Sequence, residues 1–103
     1  MFSLVLTTVK NKIDARRMAE KLVSEKLAAC VSVIPNVTSV YRWRGRVERA
    51  KEVMLVAKTS AKKLDRLIHR IKELHSYKIP EILALQVKRG SPEYLKWLEE
   101  SLR

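Results

Sequence analysis

The apolar residues of the chain follow two different periodicities in turn. Short aliphatic and β-branched runs predict four strands, at residues 2–9, 30–43, 47–59 and 82–87. Between and after these runs, apolar residues spaced three and four apart predict three amphipathic helices. The apolar stripes of these helices consist of Ala15, Met18, Ala19, Leu22 and Val23, then Ala61, Leu64, Leu67, Ile68, Ile71 and Leu74, and finally Leu95, Leu98 and Leu102. The predicted order is therefore βαββαβ followed by one further helix.

Capping and breaking residues set the predicted ends of the helices. The side chains of Asp14 and Ser60 are expected to cap the first and second helices. Pro80 prevents the second helix from continuing into the fourth strand. The sequence Ser-Pro-Glu at residues 91–93 supplies a cap, a proline at the first helical position and an early acidic residue. This combination predicts the start of the third helix.

The second and third strands are predicted to form a long hairpin. Its turn lies at Arg44 and Gly45, because glycine adopts backbone conformations that other residues avoid. Pro35 has no amide hydrogen, so the second strand is expected to contain an edge position or a bulge there and to resume at Val37. Each arm contains about fifteen residues, which corresponds to on the order of 50 Å at the usual rise per residue. Such a hairpin is long for a domain of this size.

These elements fit a single domain over residues 1–103. The predicted fold class is α+β, a ferredoxin-like βαββαβ sandwich with a long hairpin between its second and third strands and an extra C-terminal helix. Because this fold hosts many unrelated functions, the function has to be argued from particular side chains.

Several functions that occur on this fold are disfavoured by the sequence. The strand after the hairpin turn lacks the aromatic residues on which an RNA-recognition module stacks bases. A soft-metal carrier needs paired cysteines, whereas Cys30 is the only cysteine, and the two glycines stand apart and form no phosphate-binding loop. No base is placed by spacing beside Cys30, which is interpreted as an inert core residue. No catalytic residues and no enzymatic activity are predicted.

Basic residues dominate the charged positions. The formal net charge is +11, and charged residues make up 32% of the chain. A surface of this kind attracts phosphates and acidic partners. Charge enrichment with only three amide side chains is also typical of proteins from hot environments. The second interpretation is favoured, and a thermostable protein is expected.

The sequence also carries information about the cellular compartment. A single cysteine cannot form an intramolecular disulfide and favours a reducing interior. Residues 1–8 are apolar, but Lys10 and Lys12 follow them, whereas a signal peptide carries its charge in front. No apolar run is long enough to cross a bilayer. We expect a cytoplasmic protein with no membrane partner.

Three segments in order resemble the CutA divalent-cation tolerance family. The first is Ala28-Ala29-Cys30-Val31. The second is Ser-Val-Tyr-Arg-Trp-Arg-Gly at residues 39–45, with Lys58-Thr59 at the end of the return strand. The third is His-Ser-Tyr-Lys-Ile-Pro-Glu-Ile at residues 75–82, and Tyr-Leu-Lys-Trp-Leu at residues 94–98 completes the pattern. The resemblance therefore spans nearly the whole chain.

The resemblance implies a homotrimer in which parts of the long hairpin pack across neighbouring subunits. It also implies a link to tolerance of divalent metals, copper especially, and no enzymatic reaction. The family is similar to trimeric nitrogen-signalling regulators, which bind ligands in clefts between subunits. Two positions depart from the usual family pattern: Ser76 stands where proline is common, and Lys78 stands where an acidic residue is frequent.

Cys30 and His75 are the candidate metal ligands. Thiolate and neutral imidazole both suit copper, so Cu2+ or another divalent cation is the expected ion, although no cofactor is required. The two residues belong to different segments, and a joint site needs the fold or a neighbouring subunit to unite them. The alternative for His75 is a position at a helix end, where the partial negative charge favours it. Lys78 is expected to weaken cation binding by repulsion.

A second group of residues is predicted to line a ligand cleft or a trimer contact. The group consists of Tyr41, Trp43, Glu52, Lys58, Tyr77 and Glu81. Tyr41 and Trp43 are two residues apart near the hairpin turn, so their side chains face the same side and form a patch suited to a partner. The alternative is that they pack within the chain against the third helix, near Trp97. Glu52 and Lys58 either pair with other groups at an interface or are solvated.

The leading hypothesis is a trimeric, non-enzymatic protein of copper or other divalent-metal homeostasis, with a cation or small-ligand site at the clefts between subunits. The alternative is a basic nucleic-acid or anion-binding module on the same scaffold. Nucleic acid is the less expected partner. A steep loss of affinity with added salt would distinguish the alternative, because phosphate contacts release counterions.

Overall fold

A computed structural model describes all residues from 1 to 103. The elements in chain order are β1 (Phe2–Val9), α1 (Lys12–Ser24), β2 (Cys30–Trp43), β3 (Arg46–Ser60), α2 (Leu64–Leu74), β4 (Ile82–Val87) and α3 (Pro92–Ser101). The strands form one sheet in the order β2-β3-β1-β4, and each neighbouring pair is antiparallel. The α+β ferredoxin-like prediction is confirmed. None of the three helices has both the length and the apolar character needed to cross a membrane.

One face of the sheet is covered by α1 and α2. Alternate residues of β1 and β3, such as Val5 and Leu55, point to this face and are fully buried. Leu22 of α1 and Leu67 and Ile71 of α2 close over them and are fully buried as well. Burying a large aliphatic side chain contributes about 1.5–3 kcal/mol. This layer is therefore the main hydrophobic core of the chain.

The opposite face of the sheet is covered by a helix only at one end. There α3 packs Leu98 and Leu102 against Ala29 and Phe2. The rest of this face, which we call the open face, consists of side chains that alternate with the core residues along the central strands. Directly paired residues on adjacent antiparallel strands share a face, as Leu6 does with its partners in β3 and β4. The open face contains Leu4, Leu6, Met54, Val56, Leu83 and Leu85.

The hairpin of β2 and β3 extends beyond the four-stranded sheet. The pairing of β1 with β3 ends at Val9 and Val53, so residues 37–52 have no third strand beside them. This free arm of seven residues per strand projects about 20–25 Å, and the longest dimension of the molecule is 45 Å. At its tip, Arg44 and Gly45 both have positive φ, at 50° and 76°. That backbone matches the twist of a tight hairpin turn.

A β-bulge interrupts β2, as Pro35 predicted. Ile34 pairs with Met54 and Val37 pairs with Glu52, so Pro35 and Asn36 together stand opposite one residue of β3. Asn36 has a φ of 62°, a conformation that asparagine tolerates better than most residues. The extra residue reverses the alternation of side chains in the rest of β2. Even-numbered residues face the open face before the bulge, and odd-numbered residues do so after it.

Of the three predicted side-chain caps, those at Asp14 and Ser60 are wrong, and Ser91 stands at the N-cap of α3 but makes no side-chain cap hydrogen bond. Helix α1 is capped by Asn11, whose Oδ1 accepts a hydrogen bond of 2.8 Å from the Asp14 amide, so Asp14 lies inside the first turn. Ser60 ends β3 in an extended conformation and makes no cap hydrogen bond, because a 3₁₀ turn at Ala61–Lys63 precedes α2. Ala61 is accordingly exposed and does not belong to the buried stripe of α2. Pro92 occupies the start of α3 as predicted.

Candidate ligand cleft

A cleft of about 670 Å³ lies between the hairpin arm and the segment that follows α2. Five of the six predicted cleft residues line it, namely Tyr41, Trp43, Glu52, Tyr77 and Glu81. Thr8, Ser39, Ala50, Ser76, Lys78 and Ile79 complete the lining. The cleft is continuous with the open face of the sheet, because Thr8 and Glu52 alternate with core residues of β1 and β3.

The bulge in β2 places the aromatic wall of the cleft. Tyr41 and Trp43 share a side of the strand, as predicted, because their positions differ by two. The extra residue at the bulge puts that side on the same face as Glu52 of β3. If Pro35 and Asn36 paired with β3 in a regular ladder, Val40 and Arg42 would face the cleft instead. Tyr41 and Trp43 remain 44% and 47% exposed, so the chain itself leaves nearly half of each side chain uncovered.

His75 fixes the segment that forms the opposite wall. Its Nε2 lies 2.8 Å from the carbonyl oxygen of Thr8, and its Nδ1 lies 3.1 Å from the amide nitrogen of Tyr77. A carbonyl only accepts and an amide N–H only donates. Nε2 therefore carries the proton, and Nδ1 accepts from Tyr77. His75 stands at the C-terminal cap of α2, but its ring binds β1 and its own segment and joins the two.

Tyr77 connects this wall to the hairpin. Its hydroxyl donates a hydrogen bond of 2.8 Å to Oε2 of Glu52. Partial burial and this bond to a carboxylate raise the pKa of Tyr77 to about 12, because both disfavour the phenolate. Tyr77 is thus a neutral donor, and Glu52 keeps its second carboxylate oxygen for another partner.

The exposed tryptophan at the hairpin tip already contacts a cation. The guanidinium carbon of Arg44 lies 5.7 Å from the ring centroid of Trp43, within the range of cation–π attraction. The alternative in which Trp43 packs against α3 is not what the chain adopts. Trp97 of α3 stacks on Tyr94 instead, with ring centroids 5.6 Å apart.

Lys58 lies outside the cleft, at the α3 end of the open face. Its Nζ donates a hydrogen bond of 3.2 Å to the Tyr94 hydroxyl and sits 5.5 Å from that ring. The bond to Tyr94 raises the pKa of Lys58, and the neighbouring Cys30 adds to the effect. Cys30 pairs with Lys58 across β2 and β3 and is half-buried. Cys30 is therefore not a core residue, contrary to the prediction, because alternation alone does not distinguish the open face from the covered one. That Cys30 is inert stays a prediction.

The residues of one chain do not form a complete divalent-metal site. No three His, Cys, Asp or Glu side chains gather in a way that could hold an ion. Both nitrogens of His75 are engaged, so a metal would have to displace Thr8 or Tyr77. Cys30 pairs with Lys58 of β3, whereas His75 binds Thr8, which pairs with Met54 of β3. These two positions on β3 are four residues apart, so about 13 Å of strand separates Cys30 from the residue that His75 binds. The metal roles of His75 and Cys30 stay predictions.

Sequence reasoning missed some of the small and polar cleft residues. Ser39 and Ala50 lie on the same face as Tyr41, two residues along β2 and across the ladder in β3. Alternation from Tyr41 could have identified Ser39. Thr8 and Ile79 could not be assigned from the sequence, because their place depends on how the segment after α2 returns against β1.

Comparison with known proteins identifies the family. The profile of the CutA1 divalent ion tolerance protein matches residues 3–101. The divalent-cation tolerance protein CutA of Thermus thermophilus is 46% identical over 101 residues, which cover 98% of each protein. The solved structure of the divalent cation tolerance protein from Thermus thermophilus superposes with a TM-score of 0.94, at 46% identity and 98% coverage of both chains.

A more distant structure leads to the same family. The periplasmic divalent cation tolerance protein CutA from Archaeoglobus fulgidus superposes with a TM-score of 0.96, at 34% identity over the full length of both chains. Its name places that relative in the periplasm, and the cytoplasmic location of this chain stays a prediction. The family description refers to tolerance of divalent ions and to no chemical reaction. This chain belongs to the CutA divalent-cation tolerance family.

Proposed function

We propose that this protein is a non-enzymatic homotrimer that serves tolerance of divalent cations, copper in particular, with its ligand cleft at the boundary between subunits. The observation that carries the proposal is the open face of the sheet. Leu83 and Leu85 are 56% and 48% exposed there, beside the partly buried Leu4, Leu6 and Val56. Contiguous apolar surface of this kind usually marks an interface.

The shape of the chain favours a closed ring of copies over an open chain of them. The free hairpin arm leaves unpaired strand edges, which soluble proteins protect by pairing or by covering them. A cyclic assembly can bury the open faces together and let each arm pack on a neighbour. The resemblance to the CutA family implies three subunits. In such an assembly the half-exposed Tyr41 and Trp43 border both a neighbouring subunit and the cleft.

The cleft supplies a reason for cation binding. Two of its lining residues, Glu52 and Glu81, are acidic, and one, Lys78, is basic. The chain as a whole carries +11, so the lining of this cleft is more acidic than the rest of the chain. A divalent cation is here a substrate of the tolerance function, and groups from more than one chain would complete its coordination. No residue of the cleft is assigned a catalytic role.

Native mass spectrometry tests the assembly. We expect a species with the mass of three 12.0 kDa chains, stable at micromolar concentration. A stable monomer in sedimentation at the same concentration would contradict the proposal.

Calorimetric titration tests the cation. We expect copper to bind more tightly than zinc or nickel, because copper has the highest affinity in the divalent series. Binding should be weak, since one chain holds no complete ligand set. His75→Ala and Cys30→Ser should each lower the copper affinity, whereas Arg66→Ala on the outer side of α2 should not. If neither substitution changes the isotherm, these two residues are not the copper ligands.

A further inference from the structure

We infer that the cleft binds a small organic cation whose charged group is planar and delocalised, with alkylguanidinium as the best-matched chemistry. The inference rests on the proposed function only in treating this cleft as a ligand site. It assigns the cleft a ligand class that differs from a bare metal ion. Three features of the cleft carry it: its aromatic walls, its carboxylates and its volume.

The aromatic walls suit a soft cation. Tyr41, Trp43 and Tyr77 all line the cleft, and the faces of such rings attract cations electrostatically. Trp43 already has the guanidinium of Arg44 over its ring at 5.7 Å. A planar guanidinium also stacks on a ring, which a compact, strongly hydrated ammonium does less well. The chain therefore contains an internal example of the contact that we assign to the ligand.

The carboxylates supply the matching hydrogen-bond acceptors. Glu52 uses Oε2 for the Tyr77 hydroxyl, which holds the side chain in place and leaves Oε1 available. Glu81 adds a second carboxylate to the same lining. Guanidinium groups bind carboxylates through paired N–H donors, which makes these bonds stronger and more directional than those of a point charge. A ligand between the rings and the acids would use both.

Within one chain, the composition of the cleft fits an organic cation better than a metal ion, whose coordination would need groups from a second chain. Aromatic rings offer no strong metal ligands, and no three metal-ligating side chains gather in the chain. The volume of about 670 Å³ is far larger than an ion needs. It lies within the range of about 300–1,000 Å³ that is typical of small-molecule sites.

Two basic residues oppose a cationic ligand and provide sharp controls. Lys78 lines the cleft, and Arg44 occupies one side of Trp43. Removing the charge of Lys78 lowers the repulsion felt by the ligand, and removing Arg44 frees the ring of its internal cation. Both substitutions should therefore tighten binding, the opposite of what loss of a structural residue does.

The test uses butylguanidinium and its uncharged isostere butylurea as probes. Because the chain has two tryptophans, Trp97→Phe leaves Trp43 as the sole tryptophan fluorophore beside the cleft. We expect butylguanidinium to change Trp43 fluorescence saturably and to bind at least about tenfold more tightly than butylurea, the value of one charge-assisted hydrogen bond. Calorimetry on the unsubstituted protein gives the same comparison without the Trp97→Phe change.

Substitutions in the cleft show whether butylguanidinium binds there or elsewhere on the surface. Glu81→Gln and Glu52→Gln should each weaken butylguanidinium binding about tenfold, whereas Lys78→Gln and Arg44→Ala should strengthen it. Equal affinity for the two probes, or unchanged affinity in both glutamine variants, would overturn the inference. A capped pentapeptide with one central arginine distinguishes the source of the cation. Tighter binding of the peptide than of butylguanidinium would overturn the assignment to a small molecule.

These outcomes are separate from those of the proposed function. Failure of guanidinium binding in a trimer that still binds copper would remove only the ligand class. A monomeric chain without copper affinity would remove the proposed function, and the fluorescence titration would still report on the cleft.

Discussion

The two faces of the sheet are built from the same kinds of residue and end in different surroundings. On the covered face, Val5 and Leu55 are enclosed by α1 and α2. On the open face, Leu83 and Leu85 are equally aliphatic, and about half of each side chain remains exposed. The difference shows that apolar alternation marks surfaces that will be buried without specifying by what. One face completes the core of the chain, and the other is left for a partner.

The distinction has an energetic counterpart. Contacts on the covered face stabilise each folded chain at any concentration. Contacts on the open face contribute only when copies associate, so their effect depends on protein concentration. The hairpin arm belongs with the open face in this respect, because residues 37–52 have no third strand beside them.

The largest effect is expected at the tip of the hairpin arm. Trp43→Ala should weaken assembly by about 3–5 kcal/mol if the ring is buried between subunits, the usual cost of removing a buried aromatic residue. The matched surface change Arg66→Ala should stay within roughly 0.5 kcal/mol. Sedimentation equilibrium measures both. Equal effects would mean that Trp43 stays in solvent in the assembled protein, and the arm would not be an interface.

A pair of leucine variants separates the two faces. Leu55→Ala on the covered face should lower the free energy of unfolding by about 2–5 kcal/mol through loss of packing and a cavity. Leu83→Asn on the open face should leave the stability of the dilute monomer nearly unchanged and shift the assembly toward smaller species. Denaturant unfolding and sedimentation, each over a range of protein concentrations, give both quantities. If Leu83→Asn lowers the free energy of unfolding at every concentration as much as Leu55→Ala does, the open face is an ordinary part of the core.

The smallest effect is expected from the hydrogen bond between the arm and the rest of the cleft. The pKa of Tyr77 is raised to about 12 from its ordinary value of 10.0. The neutral phenol is therefore favoured in the folded state. Its contribution to stability is complete below pH 10 and is lost as the pH rises from 10 through about 12.

Tyr77→Phe removes this titration. The variant should lose about 1 kcal/mol at neutral pH with the bond to Glu52, and its stability should fall less steeply above pH 10 than that of the parent. Urea unfolding between pH 7 and about pH 11, a range that reaches past the ordinary tyrosine pKa, measures both slopes. Parallel curves would show that Tyr77 does not hold the arm to the segment after α2.

Most of the fold followed from periodicity. The strand at residues 82–87 has the predicted bounds, and the bulge lies where Pro35 places it. The cap of α1 was predicted wrongly because Asn11 and Asp14 are both good capping residues only three positions apart. The return of the chain from β1 selects Asn11. Ser60 does not cap α2, because β3 continues through this residue and pairs it with Phe2.

The sequence predicted which residues line the cleft better than it predicted how far the cleft extends along the sheet. Tyr41, Trp43 and Glu52 come together because strand alternation is regular once the bulge is counted. Lys58 is on the same face as Glu52, but six residues, or about 20 Å, further along β3. A sequence motif shows that two residues belong to one family pattern, and it does not show whether they share a cavity. The distance along the strand decides that.

The bulge at Pro35 and Asn36 shifts the alternation of side chains along β2 by one residue. If β2 kept every residue but paired with β3 in a regular ladder without the bulge, the arm would slip by one residue, and Val40 and Arg42 would replace Tyr41 and Trp43 in the cleft. The cleft would exchange an aromatic wall for a cationic one without any change of a lining residue. Its chemical character is therefore controlled by the register of β2 as much as by the side chains, so a substitution that allowed regular pairing at the bulge would change which ligands the protein accepts.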